Sequence, residues 1–203
     1  MKLYDGGRAP NPRRVRIFLA EKGIEIERQQ VDLGTLEHKG AAYTAINPLQ
    51  QVPALVLDDG TILTESIAIC RYFEALQPEP ALFGRNGREA AIIEMWNRRI
   101  EQRLLFGVAQ VFRHLRPAMK PMENPQITAW GEVNKPRVMQ FLNLLDSELA
   151  SRVYVSSDAF SVADITGLVA IDLMKPAKLA VPDEMKHVKR WYTDITARPS
   201  AAA

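Results

Sequence analysis

Glu65 and Ser66 form an acid–hydroxyl pair at the point where apolar residues begin to recur at helical spacing. A helix start leaves main-chain N–H groups unpaired, so the pair sits beside a natural seat for a carboxylate. Upstream, Val52-Pro53-Ala54-Leu55 opens an apolar strand on a proline, a place where no ladder donor is lost. An X-Pro bond at such a place is a candidate for the cis form. Asp59-Gly60 then supplies the positive φ angles of a narrow hairpin turn. Two readings of the stretch from Asn47 to Phe73 stand open at this point. One is a well-made hairpin capped into a helix; the other is a binding seat.

Three further sets of residues bear on chemistry. Asn11 follows Pro10 and precedes Pro12. It is a preferred helix N-cap, and an asparagine that caps through its carbonyl oxygen still has an NH₂ group to present outward. Cys70 lies within the helix that starts at Ser66, with Ile67 and Phe73 at three-residue spacing, and reads as a small apolar core group. His114 and His187 have no partners at ligand spacing, so no metal is expected.

These residues need a scaffold. Lys2 to Asp5 reads as a strand that Gly6-Gly7 terminates. A helix follows from Asn11, with Pro12 suited to its first turn and Gly23 just past its end. Val15, Phe18 and Leu19 share its apolar face, while Arg8, Arg13 and Arg14 read as solvated charges. Ile24, Ile26, Val31 and Leu33 mark a second strand, and residues 34–46 a loop with a short helix. Strand, hairpin and helix complete a first domain over residues 1–77, in the order β-α-β-α-β-β-α. Residues 78–87, rich in proline and glycine, form a linker. Residues 88–203 read as all-helical: a long amphipathic helix from Arg88 to Leu115, a second from about Gln126 to Ser151, a third from Phe160 and a last over Asp183 to Ala197. Ser161 and Asp164 have capping-box spacing, with aspartate as the acid. On the long helix, Arg99, Arg103, Phe106, Gln110 and Arg113 make one stripe off the main apolar face, and Phe106 is out of place on it.

Composition narrows the classes. The 203 residues can bury a full core in one or two domains, and a net charge of +2 with no polybasic tail speaks against nucleic acid or an anionic membrane as partner. No apolar run approaches the roughly 18 residues of a membrane helix. The start, MKLYDGGRAP, lacks the apolar core of a secretion signal, and a lone cysteine excludes an internal disulfide or a CxxC pair. The chain is expected in the cytoplasm.

The Val-Pro-Ala-Leu strand, the hairpin and the Glu65-Ser66 pair resemble the glutathione-binding half of cytosolic glutathione transferases. The Ser161-x-x-Asp164 box behind an aromatic residue and the late Arg198-Pro199-Ser200 are similar to marks of their helical half. The resemblance covers nearly the whole chain. It implies a thioredoxin-like α+β domain followed by an all-α domain, usually as a homodimer, with glutathione as cosubstrate and a small electrophile as the other partner. It further implies that Val52, before a cis Pro53, offers its backbone to the cysteinyl part of glutathione, and that Glu65 and Ser66 hold the γ-glutamyl end. His38 and Gln51 match positions that meet the glycine carboxylate, with Gln50 a lesser candidate. The electrophile is expected between the halves, beside Arg103, Phe106, Gln110 and Arg113. The chain departs from the common pattern at Ala9, where several classes carry a catalytic serine or cysteine. Asn11 is similar to the asparagine of a bacterial class in which that side chain approaches the thiol. The expected reaction is attack of the glutathione thiolate on the electrophile. Glutathione-dependent peroxide or disulfide reduction, or partner binding without catalysis, are the alternatives.

Overall fold

A computed structural model describes residues Met1–Ala203, which divide into two compact units: Met1–Leu82 with Ala202–Ala203, and Phe83–Ala201. In the first unit, four short strands pair in the order β2-β1-β3-β4: β1 (Lys2–Asp5), β2 (Glu27–Gln30), β3 (Ala54–Val56) and β4 (Ile62–Thr64). β1 runs parallel to β2 and antiparallel to β3, and β3 and β4 form the antiparallel hairpin. Parallel neighbours need a crossover. Helix α1 (Pro10–Lys22) provides it. A short α2 (Ala41–Thr44) precedes the hairpin and α3 (Ser66–Leu76) follows it, which is the thioredoxin-like arrangement. Leu3, Val15, Phe18, Leu55, Ile69 and Phe73 form the core between sheet and helices.

The second strand departs from expectation. It consists of Glu27-Arg28-Gln29-Gln30, exposed throughout, while Ile24 and Ile26 lie outside it. An edge strand is fixed by its one hydrogen-bonded neighbour, here β1, and needs no apolar face of its own. Arg14 also corrects its reading as a solvated charge, being fully buried. Lys22 is buried as well, and its ammonium is satisfied by Glu74 (2.5 Å) and by the carbonyls of Gln77 (2.8 Å), Pro78 (3.2 Å) and Pro80 (2.6 Å). That contact holds the end of α1 to the chain leaving α3.

The second unit is helical: α4 (Gly87–Arg99), α5 (Phe106–Leu115), α6 (Thr128–Leu149), α7 (Val162–Met174) and α8 (Lys186–Thr196). The single long helix expected from Arg88 to Leu115 is interrupted. Ile100–Leu105 forms a π-helical turn, and the Phe106 N–H bonds to the Glu101 carbonyl five residues back. The wider turn lets adjacent leucines, Leu104 and Leu105, both reach the core. No helix is long and apolar enough to cross a membrane.

The expected Ser161–Asp164 box is formed, and it is the centre of this unit. Asp164 is fully buried. Its Oδ2 accepts from the Ser161 N–H and hydroxyl, both at 3.0 Å, and its Oδ1 from Val155 N–H and Trp191 Nε1–H, both at 2.9 Å. Trp191 in turn leaves no room for a side chain at Gly167, where an added Cβ would lie 2.6 Å from the indole ring. Burial pushes the Asp164 carboxyl above its ordinary 3.8, against the lowering effect of its four donors. A raised acid contributes stability that is complete below the unfolded value and declines as pH rises through the folded one. The acid limb of unfolding therefore has its origin elsewhere. Replacing Asp164 with alanine strands four buried donors, and the expected cost is about 3 kcal/mol. A urea midpoint that moves by less than the equivalent of about 1 kcal/mol would show the hub to be dispensable.

Candidate functional site

The strand register gathers three segments at one end of the sheet. Ala54 pairs with Thr64, so Pro53 and Glu65 are neighbours one step further on. Tyr4 pairs with Ala54, which brings Gly6 beside Val52. The approach at that point is close: a Cβ on Gly6 would lie 2.5 Å from Val52 Cγ2 and 3.1 Å from Leu33 Cδ1. Glycine is required there by space. Val52, Pro53, Glu65 and Ser66 thus meet the loop that leads to Asn11.

Each segment is held from below. Gln51, itself exposed, has its carbonyl fixed by the Tyr43 hydroxyl (2.6 Å) and by Asn47 Nδ2 (2.7 Å), and the Val52–Pro53 bond that follows is cis. Burial raises the Tyr43 hydroxyl to about 12, so it stays a donor. Asn47 Oδ1 accepts from the Leu49 N–H (3.1 Å), and Gln50, in the left-handed region at φ 55°, ties its amide to Thr44 Oγ1 (3.0 Å). Val52 lies just before the β3 ladder, its N–H and C=O outside the bonds that secure the preceding loop. Glu65 stands at φ 64° and exposed, and its carbonyl takes the Ile69 N–H at 3.0 Å. The N–H groups of Ser66, Ile67 and Ala68 therefore open α3, with the Ser66 side chain 5% exposed among them.

The start of α1 differs from expectation. Ala9, not Asn11, is the N-cap residue, at φ −62° and ψ 140°. Pro10 suits the first helical position and draws the helix start forward by two residues. Asn11 thus sits inside the first turn, exposed, with no capping bond from its side chain. Pro10 and Pro12 carry no N–H and Arg13 N–H is bonded to Ala9 O (3.2 Å), which leaves Asn11 as the open main-chain donor of the turn.

Asp5, which no local pattern singles out, fixes this loop. Its carboxylate is 1% exposed and accepts from Gly7 N–H (3.0 Å), Arg16 Nη1 (2.6 Å) and Gln30 Nε2 (3.2 Å). Burial lowers the Arg16 guanidinium while Asp5 works to raise it. Gly6, Gly7 and the Gln30–Gly34 segment line an open hollow of about 420 Å³, with Glu37 on its rim. His38 follows Glu37, 5% exposed, and its Nδ1 has no hydrogen-bond partner. Burial, and then Lys39, lower its pKa from the ordinary 6.5.

The stripe expected on the long helix is divided by the π turn. Arg103 and Phe106 share a hollow with Arg98, Glu101 and Gln102. Gln110 instead accepts from Trp130 Nε1–H (2.8 Å), and Arg113 pairs with Glu123 (3.3 Å). Cys70 is fully buried and burial raises its thiol to about 12, which makes it inert.

Fold and site together define a two-part protein in which the open start of α3 and an exposed main-chain donor in the first turn of α1 lie at one end of the sheet. Residues 9–76 match the family profile described as Glutathione S-transferase, N-terminal domain, and residues 113–199 that of its C-terminal domain. Glutathione S-transferase 2 of Saccharomyces cerevisiae is 37% identical over 203 residues, covering 98% of this chain and 87% of that one. Glutathione S-transferase 3 of Zea mays is 32% identical, covering 98% and 90%. The crystal structure of Gtt2 from S. cerevisiae superposes with a TM-score of 0.95 at 36% identity, covering 100% of this chain and 99% of that one. A class Gtt2 glutathione S-transferase of Vibrio parahaemolyticus gives 0.85 at 36% identity, covering 98% and 94%. The chain belongs to the glutathione S-transferase family.

Removing the Asp5 carboxylate leaves a mostly buried Arg16 without its ion pair and the Gly6-Gly7 loop without its anchor. Asp5→Ala is expected to cost about 3 kcal/mol in chemical denaturation. A loss below about 1 kcal/mol would mean that the loop is held by its backbone alone.

Proposed function

We propose that this chain binds glutathione at the sheet end and promotes attack of its thiolate on small electrophiles. The observation that carries the reading is the convergence of Val52, Pro53, Glu65 and Ser66 beside the start of α1. Val52 N–H and C=O pair with the cysteinyl main chain of the tripeptide. The open N–H groups of α3, with Ser66 and Glu65, take the γ-glutamyl carboxylate and amine. Gln51 and His38 meet the glycine carboxylate, and the unpartnered His38 Nδ1 supports that assignment. Asn11 faces the sulfur. Arg103 and Phe106 hold the acceptor, with Gln110 and Arg113 further along the same helix.

A free thiol has a pKa of about 8.5, so stabilising the thiolate at neutral pH is the protein's contribution. Asn11 offers its main-chain N–H and its side-chain amide to the sulfur, backed by the positive end of α1. The reaction forms a C–S bond, and the thiol proton passes to solvent. The reading includes a cytoplasmic homodimer, which sedimentation of the purified chain checks.

Titration calorimetry with glutathione tests the seat. Ser66→Ala is expected to weaken binding about tenfold. No heat from the native chain at millimolar glutathione would end the reading. Asn11→Ala keeps the main-chain donor and loses the side-chain one. Turnover at neutral pH should fall several-fold, with the kinetic pKa of bound thiol raised by up to about one unit. An unchanged pH profile would remove Asn11 from the sulfur.

His38 adds a pH dependence. A depressed histidine favours the folded state above its unfolded value, and that contribution is lost as pH falls through the folded pKa. A carboxylate at Nδ1 reverses the depression, so glutathione binding between about pH 6 and 7 should take up protons, read from binding heats in buffers of different ionisation enthalpy. Identical heats across buffers, or uptake surviving His38→Gln, would place the glycine carboxylate elsewhere.

A further inference from the structure

His114 is the buried histidine that lies outside the proposed glutathione seat. It stands in the last turn of α5, 8% exposed, where the chain leaves that helix for the segment 116–127 leading to α6. Its Nδ1 accepts the main-chain N–H of Ile127 at 3.1 Å. A peptide N–H can only donate, so Nδ1 carries no proton and the ring proton sits on Nε2. Ile127 is the N-cap residue of α6 and makes no side-chain cap of its own. An imidazole from α5 thus holds the chain at the point where α6 begins.

Other contacts close the same segment. Gln126 Nε2 donates to the carbonyls of Arg113 (2.6 Å) and Arg116 (2.8 Å), and Arg113 pairs with Glu123 (3.3 Å). Gly131, in the first turns of α6, is so close to α5 that an added Cβ would lie 2.6 Å from Leu115 Cδ2 and 3.2 Å from His114 Cβ. The ring therefore stands in a tight seam.

A proton on Nδ1 turns this attraction into repulsion. An imidazolium has two donors and no acceptor, so two N–H groups face each other and Ile127 loses its partner. The other side of the ring favours the charge. Nε2 lies 3.9 Å from Glu123 Oε1, and the ring is at the negative end of α5. Arg113 and Arg116, its neighbours in sequence, weigh against the charge, while Lys120 is exposed. On α6, Glu132 and Lys135 pair with each other (2.8 Å). On α7, which packs against α5, Asp164 and Asp172 are committed to Trp191 and Tyr192. Glu101 and Arg103 of the π turn lie turns away along the same helix. Neutral and charged imidazole therefore favour different positions of the segment. Histidine is the side chain that ordinarily changes charge between about pH 5 and 8.

We propose that His114 is a proton-operated latch on the segment between α5 and α6. Neutral, it holds Ile127 and the start of α6 against the end of α5. Protonated, it releases Ile127 and keeps Glu123. Opening takes up one proton from solvent at Nδ1, so acid favours the open segment and base the closed one. The latch belongs to the second unit alone and does not depend on the transferase reading.

Amide hydrogen exchange of the full chain tests it, followed by mass spectrometry from about pH 8 to about pH 5 and corrected for the chemical exchange rate. In the native chain, protection of peptides covering 116–131 should fall about tenfold across that range, while peptides from α7 hold theirs. His114→Asn keeps an acceptor at the position of Nδ1 but takes up no proton there, so its protection should be independent of pH. His114→Ala removes the acceptor and should leave the segment weakly protected throughout. A readout that needs no variant is the ring-nitrogen spectrum of the isotope-labelled native chain, in which His114 should be the Nε2–H tautomer near pH 8. Protection of 116–131 that ignores pH, falls equally in His114→Asn, or falls together with α7 overturns the proposal. An Nδ1–H tautomer in the native chain overturns it as well.

Discussion

The buried carboxylate of Asp5 is the interaction on which the end of the first unit around Gly6 and Val52 depends. It lies at the last position of the central strand, where the chain must leave the sheet, turn through two glycines and enter α1. A charge that is 1% exposed is tolerated only when fully compensated. Its partners come from the loop ahead, from the first helix and from the edge strand. Those bonds therefore couple the position of the α1 start to the positions of β1 and β2. Gly6 can then approach Val52 as closely as it does because the loop is pinned on its other side. Fixing the loop fixes the distance between the helix-turn donor at Asn11 and the peptide groups of Val52.

The second unit uses the same device in a different place. Asp164 is also buried, acidic and surrounded by donors, and it unites the start of α7 with the loop at Val155 and with Trp191 on α8. Arg190 adds a third connection, its guanidinium reaching the carbonyls of Leu149 (3.1 Å) and Arg152 (2.8 Å) at the end of α6. In both units a desolvated carboxylate gives the fold its specificity through hydrogen bonds. The apolar cores supply most of the favourable free energy.

Local signals were legible and distant ones were not. The start of α3, the hairpin at Asp59-Gly60 and the Ser161–Asp164 box are all written within a few consecutive residues, and each formed where expected. Asp5 could not be read, because an acid closing a strand looks like a solvated charge when its partners lie 11 and 25 residues away. The same holds for the donors Val155 and Trp191 that complete the Asp164 hub. The π turn was hidden for another reason. Ile100, Leu104, Val108 and Val111 fit a plain α-helical period, and only the adjacency of two leucines hinted that one turn holds an extra residue. Asn11 was misplaced by a two-residue shift of the helix start, since Pro10 and Pro12 both satisfy the preference for proline near the first position.

That shift matters for the chemistry. An asparagine used as a cap spends its carbonyl oxygen on the helix and has its orientation set by that bond. An asparagine at the second helical position spends nothing on it, and its amide is free to answer to a ligand. The two prolines sharpen the point, because they remove main-chain donors that a helix start ordinarily presents. Ala9 contributes no hydroxyl or thiol of its own. Stabilisation of an anion at this helix end thus falls on one residue through two groups, with the α1 dipole behind it. In the proposed reaction the sulfur is therefore poised by electrostatics and hydrogen bonding, since the loop from Gly6 to Asn11 holds no protein nucleophile or general acid.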